Sequence, residues 1–174
     1  MTGSGAPAIR AAVLADAPAL LALYRPFVED TIVSFETEPP TVEEFSGRIA
    51  KALAGWAWLV AEHQGRCLGY AYGSMHRERA AYRWSVETSA YVAPGAHRKG
   101  IGRALYLALF EELARKGFCN ALAGIALPNE PSVAFHRSVG FEPIGIFNAV
   151  GRKFGAWHDV AWLQRRLRDS PPAG

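Results

Sequence analysis

The order of strand-like and helix-like stretches constrains the fold of this chain more than any other feature. Strand-like runs at 58–62 and 67–74 are joined by Gln64-Gly65-Arg66, a sequence typical of a tight hairpin. Beyond about residue 100, helix and strand alternate, a pattern that favours parallel pairing through helical crossovers. An antiparallel meander followed by crossover helices predicts an α/β fold with one mixed sheet.

Capping residues and glycines mark the predicted helix ends. Asp16 is placed to cap the first helix, and Thr41 with Glu44 has the spacing of a capping box for the second, which ends near Gly55. Glycines follow the later helices, at about 102–116 and 129–139, as stop signals. The predicted strands are 8–12, 58–62, 67–74, 83–92, 120–127, 144–150 and 158–167.

The chain of 174 residues is long enough to bury a core of its own. Half of the residues are hydrophobic and 20% are charged, which excludes a disordered chain. We expect one domain at residues 8–168 between flexible ends, 1–7 and 169–174. The longest apolar runs are too short to span a bilayer and the start lacks a secretion signal, so we expect a cytoplasmic protein without a membrane partner.

The net charge of +3 is compatible with an anionic ligand or with nucleic acid. The basic residues concentrate around one glycine-rich turn, and no aromatic stacking platform accompanies them, so a nucleic-acid partner is not expected. No metal site is expected either: His158 and Asp159 point to opposite faces of a strand, and two cysteines are too few for a zinc site.

The stretch from Tyr91 to Arg103 joins a strand to a long helix through glycines and basic residues. Amides at a helix start lack helical partners, so they can bind a pyrophosphate, and the basic side chains add neutralising charge. The Walker and Rossmann patterns are absent, because no Gly-Lys precedes Ser or Thr and Gly100-x-Gly102 lacks a third glycine. A plain strand-to-helix turn with a solvated basic face is the alternative.

Two other stretches place polar side chains on one face. Strand alternation aligns Glu87 with Ser85, Ser89 and Tyr91, and the alternative is that Glu87 is an exposed edge residue. Helical spacing aligns Asn129, Ser132 and His136. Asn129 also fits a helix N-cap, and His136 fits either a proton donor or a packed side chain.

These motifs resemble the GCN5-related N-acetyltransferases (GNAT), whose acetyl-CoA loop reads Gln/Arg-x-x-Gly-x-Gly/Ala after a strand. The loop here is His97-Arg-Lys-Gly100-Ile-Gly102, which departs from the pattern at His97. The resemblance covers about residues 8 to 167. The segments Ser85-Val-Glu87-x-Ser89-x-Tyr91-Val92, Asn129-Glu-Pro-Ser132 with His136 and Gly140-Phe141, and Trp157-His158-Asp159-Val160 are similar to phosphinothricin and methionine sulfone/sulfoximine acetyltransferases.

The resemblance implies a single-domain GNAT-like fold: a mixed, mostly antiparallel twisted sheet flanked by helices, with splayed strands that form the acetyl-CoA cleft. It also implies acetyl-CoA as the co-substrate, a homodimer, and a backbone N–H near Val92 that holds the thioester oxygen. The implied coenzyme-binding residues are Ala90, Tyr91, Val92, Arg98, Lys99, Gly100, Ile101, Gly102, Arg103, Asn129 and Ser132.

The implied reaction is acetyl transfer to the α-amine of a small amino acid or analogue, such as phosphinothricin, methionine sulfoximine or methionine sulfone. An amine attacks only when neutral, so a positioned base is needed; the resemblance implies Glu87 as that base and His136 as a possible acid. An acyl-cysteine route is less attractive, because neither Cys67 nor Cys119 has a neighbouring base in sequence. A coenzyme-binding module without chemistry and an acetyltransferase of another amine are the alternatives.

The resemblance also implies a substrate-binding loop after the second hairpin strand. Guanidinium groups match a substrate carboxylate, although a solvated charged loop is the alternative. Phe35, Tyr82 and Trp157 could wall the pocket, or pack in the core. The implied substrate-binding residues are Arg77, Glu78, Arg79, Glu87, Thr88 and Ser89.

Overall fold

A computed structural model describes residues 6–172, in which seven strands form one sheet flanked by four α-helices. In the order β1-β2-β3-β4-β5-β7-β6, only the β4–β5 pair is parallel. The strands are β1 (Ala8–Ala11), β2 (Trp58–His63), β3 (Arg66–Met75), β4 (Ser85–Val92), β5 (Asn120–Ala126), β6 (Glu142–Lys153) and β7 (Ala156–Arg166). The helices are α1 (Ala17–Glu29), α2 (Val42–Gly55), α3 (Ile101–Arg115) and α4 (Glu130–Ser138).

The predicted elements are confirmed, with shifts at their ends. The strand predicted from residue 83 begins at Ser85, because residues 80–82 form a 3₁₀ turn. The strand predicted at 144–150 runs from Glu142 to Lys153. Of the predicted flexible ends, residues 1–5 and 173–174 lie outside the described residues, so that prediction stays open.

The capping box at α2 is confirmed and the cap at α1 is wrong. The Glu44 N–H donates to Thr41 Oγ1 at 3.2 Å, and the Thr41 N–H donates to Glu44 Oε2 at 2.7 Å. Asp16 precedes α1, but its carboxylate accepts from the Val13 N–H and from Arg10, each at 2.8 Å. The hydrogen bond from Arg10 lowers the pKa of Asp16. The carboxylate that could cap α1 therefore binds Arg10, on β1, instead of the first amides of the helix.

The two faces of the sheet carry separate cores. On one face α3 buries Leu105, Leu109 and Leu113, which have the predicted spacing of four. On the other face α1 and α2 bury a second cluster that includes Leu20 and Ile49. Within residues 6–172, the structure shows no helix with the length and apolar character that crossing a membrane requires.

The sheet opens between β4 and β5. These strands pair only from Ser85 to Glu87, opposite residues 120–122, after which β5 continues along β7. The Ala93 N–H donates to Leu68 O at 2.9 Å. Since backbone groups alternate along an antiparallel ladder, those of Ala90 and Val92 face away from β3, into the opening. The predicted splayed strands are therefore confirmed.

A buried lysine links the end of α1 and the loop that follows it to the end of β6. Lys153 is 4% exposed, and its Nζ donates to Val28 O at 2.6 Å and to Ser34 O at 2.7 Å. In the same loop, Phe35 lies so close to Gly151 that a Cβ there would come within 2.1 Å of its ring. The loop is thereby held against β6 at the open side of the sheet.

Lys153→Met should lower the free energy of unfolding by about 2 kcal/mol, because two carbonyls lose a charged donor within the protein. Urea unfolding followed by circular dichroism measures the change. Lys51→Met, at an exposed position of α2, is the matched control and should stay within about 0.5 kcal/mol of wild type. Equal unfolding midpoints for all three proteins would contradict the structural role of Lys153.

Candidate active site

The turn before α3 has the backbone geometry that a helix-start anion site needs. Gly100 is the residue preceding α3 and has φ +76°, in the left-handed region that favours glycine. Arg98, with φ +60°, also adopts this region. The first amides of α3 follow directly, and the exposed side chains of Arg98 and Lys99 take part in none of the ion pairs among residues 6–172. Amides and free positive charge therefore occur together here.

The other residues of this turn have partners inside the protein. A Cβ at Gly102 would come within 3.1 Å of the Phe135 ring, so this glycine allows α3 to pack against α4. Arg103 Nη1 donates to Ser138 O, at the end of α4, at 3.0 Å. His97 Nε2 lies 2.9 Å from Val92 O and joins the turn to the end of β4. Where His97 departs from the family pattern, its exposed side chain thus connects the loop to the end of β4.

Glu87 lies where β4 and β5 begin to part. β4 pairs on both sides at this point, so the alternative that Glu87 is an edge residue is wrong. Its side chain is 35% exposed and lines a cavity of about 430 Å³. The cavity brings together the predicted substrate residues Glu87, Thr88 and Ser89. Its other lining residues are Val33, Phe35, Gly124, Ala126, Phe147, Val150, Val160 and Trp162.

His76 is a site residue that the sequence reasoning missed. Its Nδ1 lies 2.9 Å from Glu87 Oε1. The strand register explains the contact: Ser74 pairs with Glu87, and His76 lies two positions further on the same face. Aligning the two predicted strands residue by residue would have placed His76 beside Glu87.

The structure does not bring the predicted arginine loop into the cavity. Arg77, Glu78 and Arg79 are exposed and are not among the residues that line it. The Arg77 guanidinium lies 5.8 Å from the centre of the Tyr82 ring. Their contact with substrate stays a prediction.

Of the three aromatic residues predicted to wall the pocket, one lines the cavity. Phe35 is among the lining residues, whereas Tyr82 packs on His76 with ring centres 5.6 Å apart. Trp157 is 62% exposed and does not line the cavity. The aromatic side chains that complete the wall are Phe147 and Trp162, from β6 and β7.

His136 is buried between α3 and α4. Its Nδ1 lies 2.8 Å from Ser132 O, a carbonyl that only accepts, so Nδ1 carries the hydrogen and Nε2 accepts from the Tyr106 hydroxyl at 2.9 Å. Burial lowers the pKa of His136. Asn129 caps α4 as predicted, accepting from the Ser132 N–H at 3.2 Å. Of the two alternatives for His136, this geometry favours the packed side chain.

The chain belongs to the GNAT family of acetyltransferases, since the acetyltransferase (GNAT) domain model matches residues 9–162. Membership makes it an acyltransferase, as the resemblance of the glycine loop and the other motifs implies. It is 42% identical to the phosphinothricin N-acetyltransferase of Streptomyces coelicolor, over 96% of this chain and 100% of that one. It is 35% identical to the L-methionine sulfoximine/L-methionine sulfone acetyltransferase of Pseudomonas aeruginosa, over 91% and 94% of the two chains.

A solved structure supports the same fold. The phosphinothricin acetyltransferase of Sinorhizobium meliloti, crystallised in complex with acetyl-CoA, superimposes with a TM-score of 0.91. It is 36% identical to this chain and the match covers 98% of this chain and 95% of that one. The predicted family and fold class are confirmed.

The packed role of His136 makes a prediction for stability against pH. A histidine whose pKa is lowered in the folded state takes up its proton more readily when unfolded, so its contribution is complete above the unfolded pKa of about 6.5 and is lost as the pH falls below it. The melting temperature of wild type should therefore fall more between about pH 7 and pH 5 than that of His136→Asn. Parallel curves for the two proteins would contradict this role.

Proposed function

We propose that this protein transfers the acetyl group of acetyl-CoA to the α-amine of a small amino acid or analogue, of the phosphinothricin or methionine sulfoximine type. The observation that carries the proposal is the position of the Glu87 carboxylate, inside a cavity at the parting of β4 and β5. The names of the similar enzymes support the substrate class. An acetyltransferase of another amine is the alternative, and a screen over free amines distinguishes the two.

The residues around the opening suit coenzyme A. The backbone groups of Ala90 and the Val92 N–H face the opening, where an extended pantetheine arm could pair with β4 as a strand would. The amides at the start of α3, with Arg98 and Lys99, suit a pyrophosphate. When bound, acetyl-CoA supplies an activated acetyl group as a thioester. A backbone N–H near Val92 would donate to the acetyl oxygen.

Glu87 would act as the base for the acceptor amine. An α-amine is mostly protonated at neutral pH, and it becomes a nucleophile when Glu87 takes that proton, directly or through a water molecule. The new C–N bond then forms as the C–S bond breaks, the thiolate leaves with the electron pair, and the nitrogen gives up its second proton to water or to the thiolate. A thiol route has less support, because burial raises the pKa of Cys67, which lies in the hairpin opposite Glu62.

His136 is the predicted acid for the departing thiolate. Both ring nitrogens of His136 are within hydrogen-bond distance of protein groups, so an acid role requires its ring to give up its contact with Tyr106 or Ser132. That role stays a prediction. A thiolate can also take its proton from water, so turnover need not depend on His136.

Glu87→Gln should lower kcat for the best acceptor by about 100-fold, because the amide cannot accept the ammonium proton. Release of free thiol measures turnover, and calorimetry should show wild-type affinity for acetyl-CoA. Glu43→Gln, on the exposed first turn of α2, is the matched control and should leave turnover unchanged. Wild-type turnover in Glu87→Gln would contradict the proposal that Glu87 is the base. If calorimetry showed no heat when acetyl-CoA is added to the wild-type protein, the proposed coenzyme site would be wrong.

We also propose a homodimer, formed in the cytoplasm, with β6 at the interface. β6 is one of the two edges of the sheet within the described residues, and Ile144 and Ile146 on it are 54% and 55% exposed. Exposed apolar edge strands favour pairing with another chain, and two copies can satisfy this by a two-fold axis.

Ile146→Lys should convert the dimer to a monomer, because the change introduces like charges that face each other across a two-fold interface. Light scattering during gel filtration should give twice the mass of one chain for wild type and the mass of one chain for the variant. Leu107→Lys, an exposed apolar position on α3, is the control and should remain dimeric. A monomeric wild type would contradict the proposal.

A further inference from the structure

Among residues 6–172, the carboxylate of Glu87 hydrogen-bonds to one side chain, that of His76. Nδ1 of the ring and Oε1 of the carboxylate are 2.9 Å apart. An ionised carboxylate can only accept, so the ring must donate through Nδ1–H. One carboxylate oxygen is therefore engaged by the protein, and the other, Oε2, is left for a group in the cavity.

The ring that makes this contact is itself held in place. The His76 side chain is 11% exposed, whereas the Glu87 side chain is 35% exposed. The rings of Tyr82 and Trp162 meet the imidazole nearly edge-on, with ring centres 5.6 Å and 6.3 Å away. A ring packed against two aromatic side chains has little rotational freedom, so it can fix the more exposed carboxylate.

We propose that His76 is a positioning residue for the acetyl transfer. Its Nδ1–H holds Oε1 of Glu87 and so directs Oε2 to the acceptor amine. The inference rests on the proposed function, because it requires Glu87 to be the base. A base must lie within hydrogen-bond reach of the proton it takes, and small displacements of a catalytic group lower the rate strongly. His76 would therefore affect turnover through Glu87, without touching the substrate.

The proposal is tested by substitutions at His76 that separate its hydrogen bond from its packing. His76→Phe keeps an aromatic ring between Tyr82 and Trp162 but has no donor. His76→Asn keeps an N–H near the place of Nδ1, whereas His76→Gln carries its amide one carbon further out. His63→Phe, at the end of β2 beside the hairpin, is the matched control.

We expect His76→Phe to lower kcat about 10-fold at unchanged KM for acetyl-CoA, and His76→Asn to stay within about 3-fold of wild type. His76→Gln should be slow and His63→Phe should match wild type. If His76→Phe does not fold, the comparison of Asn with Gln decides: equal rates for these two variants would overturn the proposal.

The double variant with Glu87→Gln separates the inference from the function on which it rests. If His76 acts through Glu87, His76→Phe should cause no further loss of kcat in the Glu87→Gln background. The same 10-fold loss in both backgrounds would overturn the proposal and leave Glu87 as the base. Wild-type turnover of Glu87→Gln alone would instead remove the proposed base, and the inference with it.

Discussion

The separation of β4 from β5 is the constraint on which the candidate site depends. In a continuous sheet, the backbone groups of Ala90 and Val92 would be used by the next strand. Here β5 leaves β4 after Leu122 and keeps its pairing with β7 on its other edge, so the one parallel contact within residues 6–172 ends at Glu87. The Thr88 hydroxyl donates to Leu122 O at 3.2 Å, beside the last paired residues. One interruption of the ladder between β4 and β5 thus creates the opening that admits a ligand. The same interruption exposes the Glu87 carboxylate beside that opening.

The sequence predicts the parts of this arrangement that depend on local chemistry. The capping box at Thr41, the left-handed residues of the hairpin at Gln64 and Gly65, and the N-cap at Asn129 all act within a few residues of chain. The element order and the glycine loop were enough to predict the fold class. Local chemistry does not predict the position of the Asp16 side chain. The Asp16 carboxylate binds the Arg10 guanidinium, on a neighbouring element, more strongly than it would bind the amides at the start of α1.

The remaining parts of the site depend on contacts between distant segments. His76 reaches Glu87 because β3 and β4 pair in one particular register, which a single-strand pattern does not specify. The exposure of the arginine loop and the burial of His136 against Tyr106 depend in the same way on how whole elements pack. Residue type indicated which side chains could do chemistry, and packing determined which of them share a cavity.

The Lys153 ammonium joins two walls of the cavity that are far apart in sequence. One wall carries Phe35, and the other is β6, which carries Phe147. The Lys153 ammonium, at the end of β6, donates to Ser34 O, next to Phe35. A larger acceptor therefore cannot be admitted by shifting one wall alone. Evolution towards a bulkier substrate would have to proceed by paired replacements, one in each segment. A single replacement would enlarge the cavity and at the same time lower the free energy of unfolding.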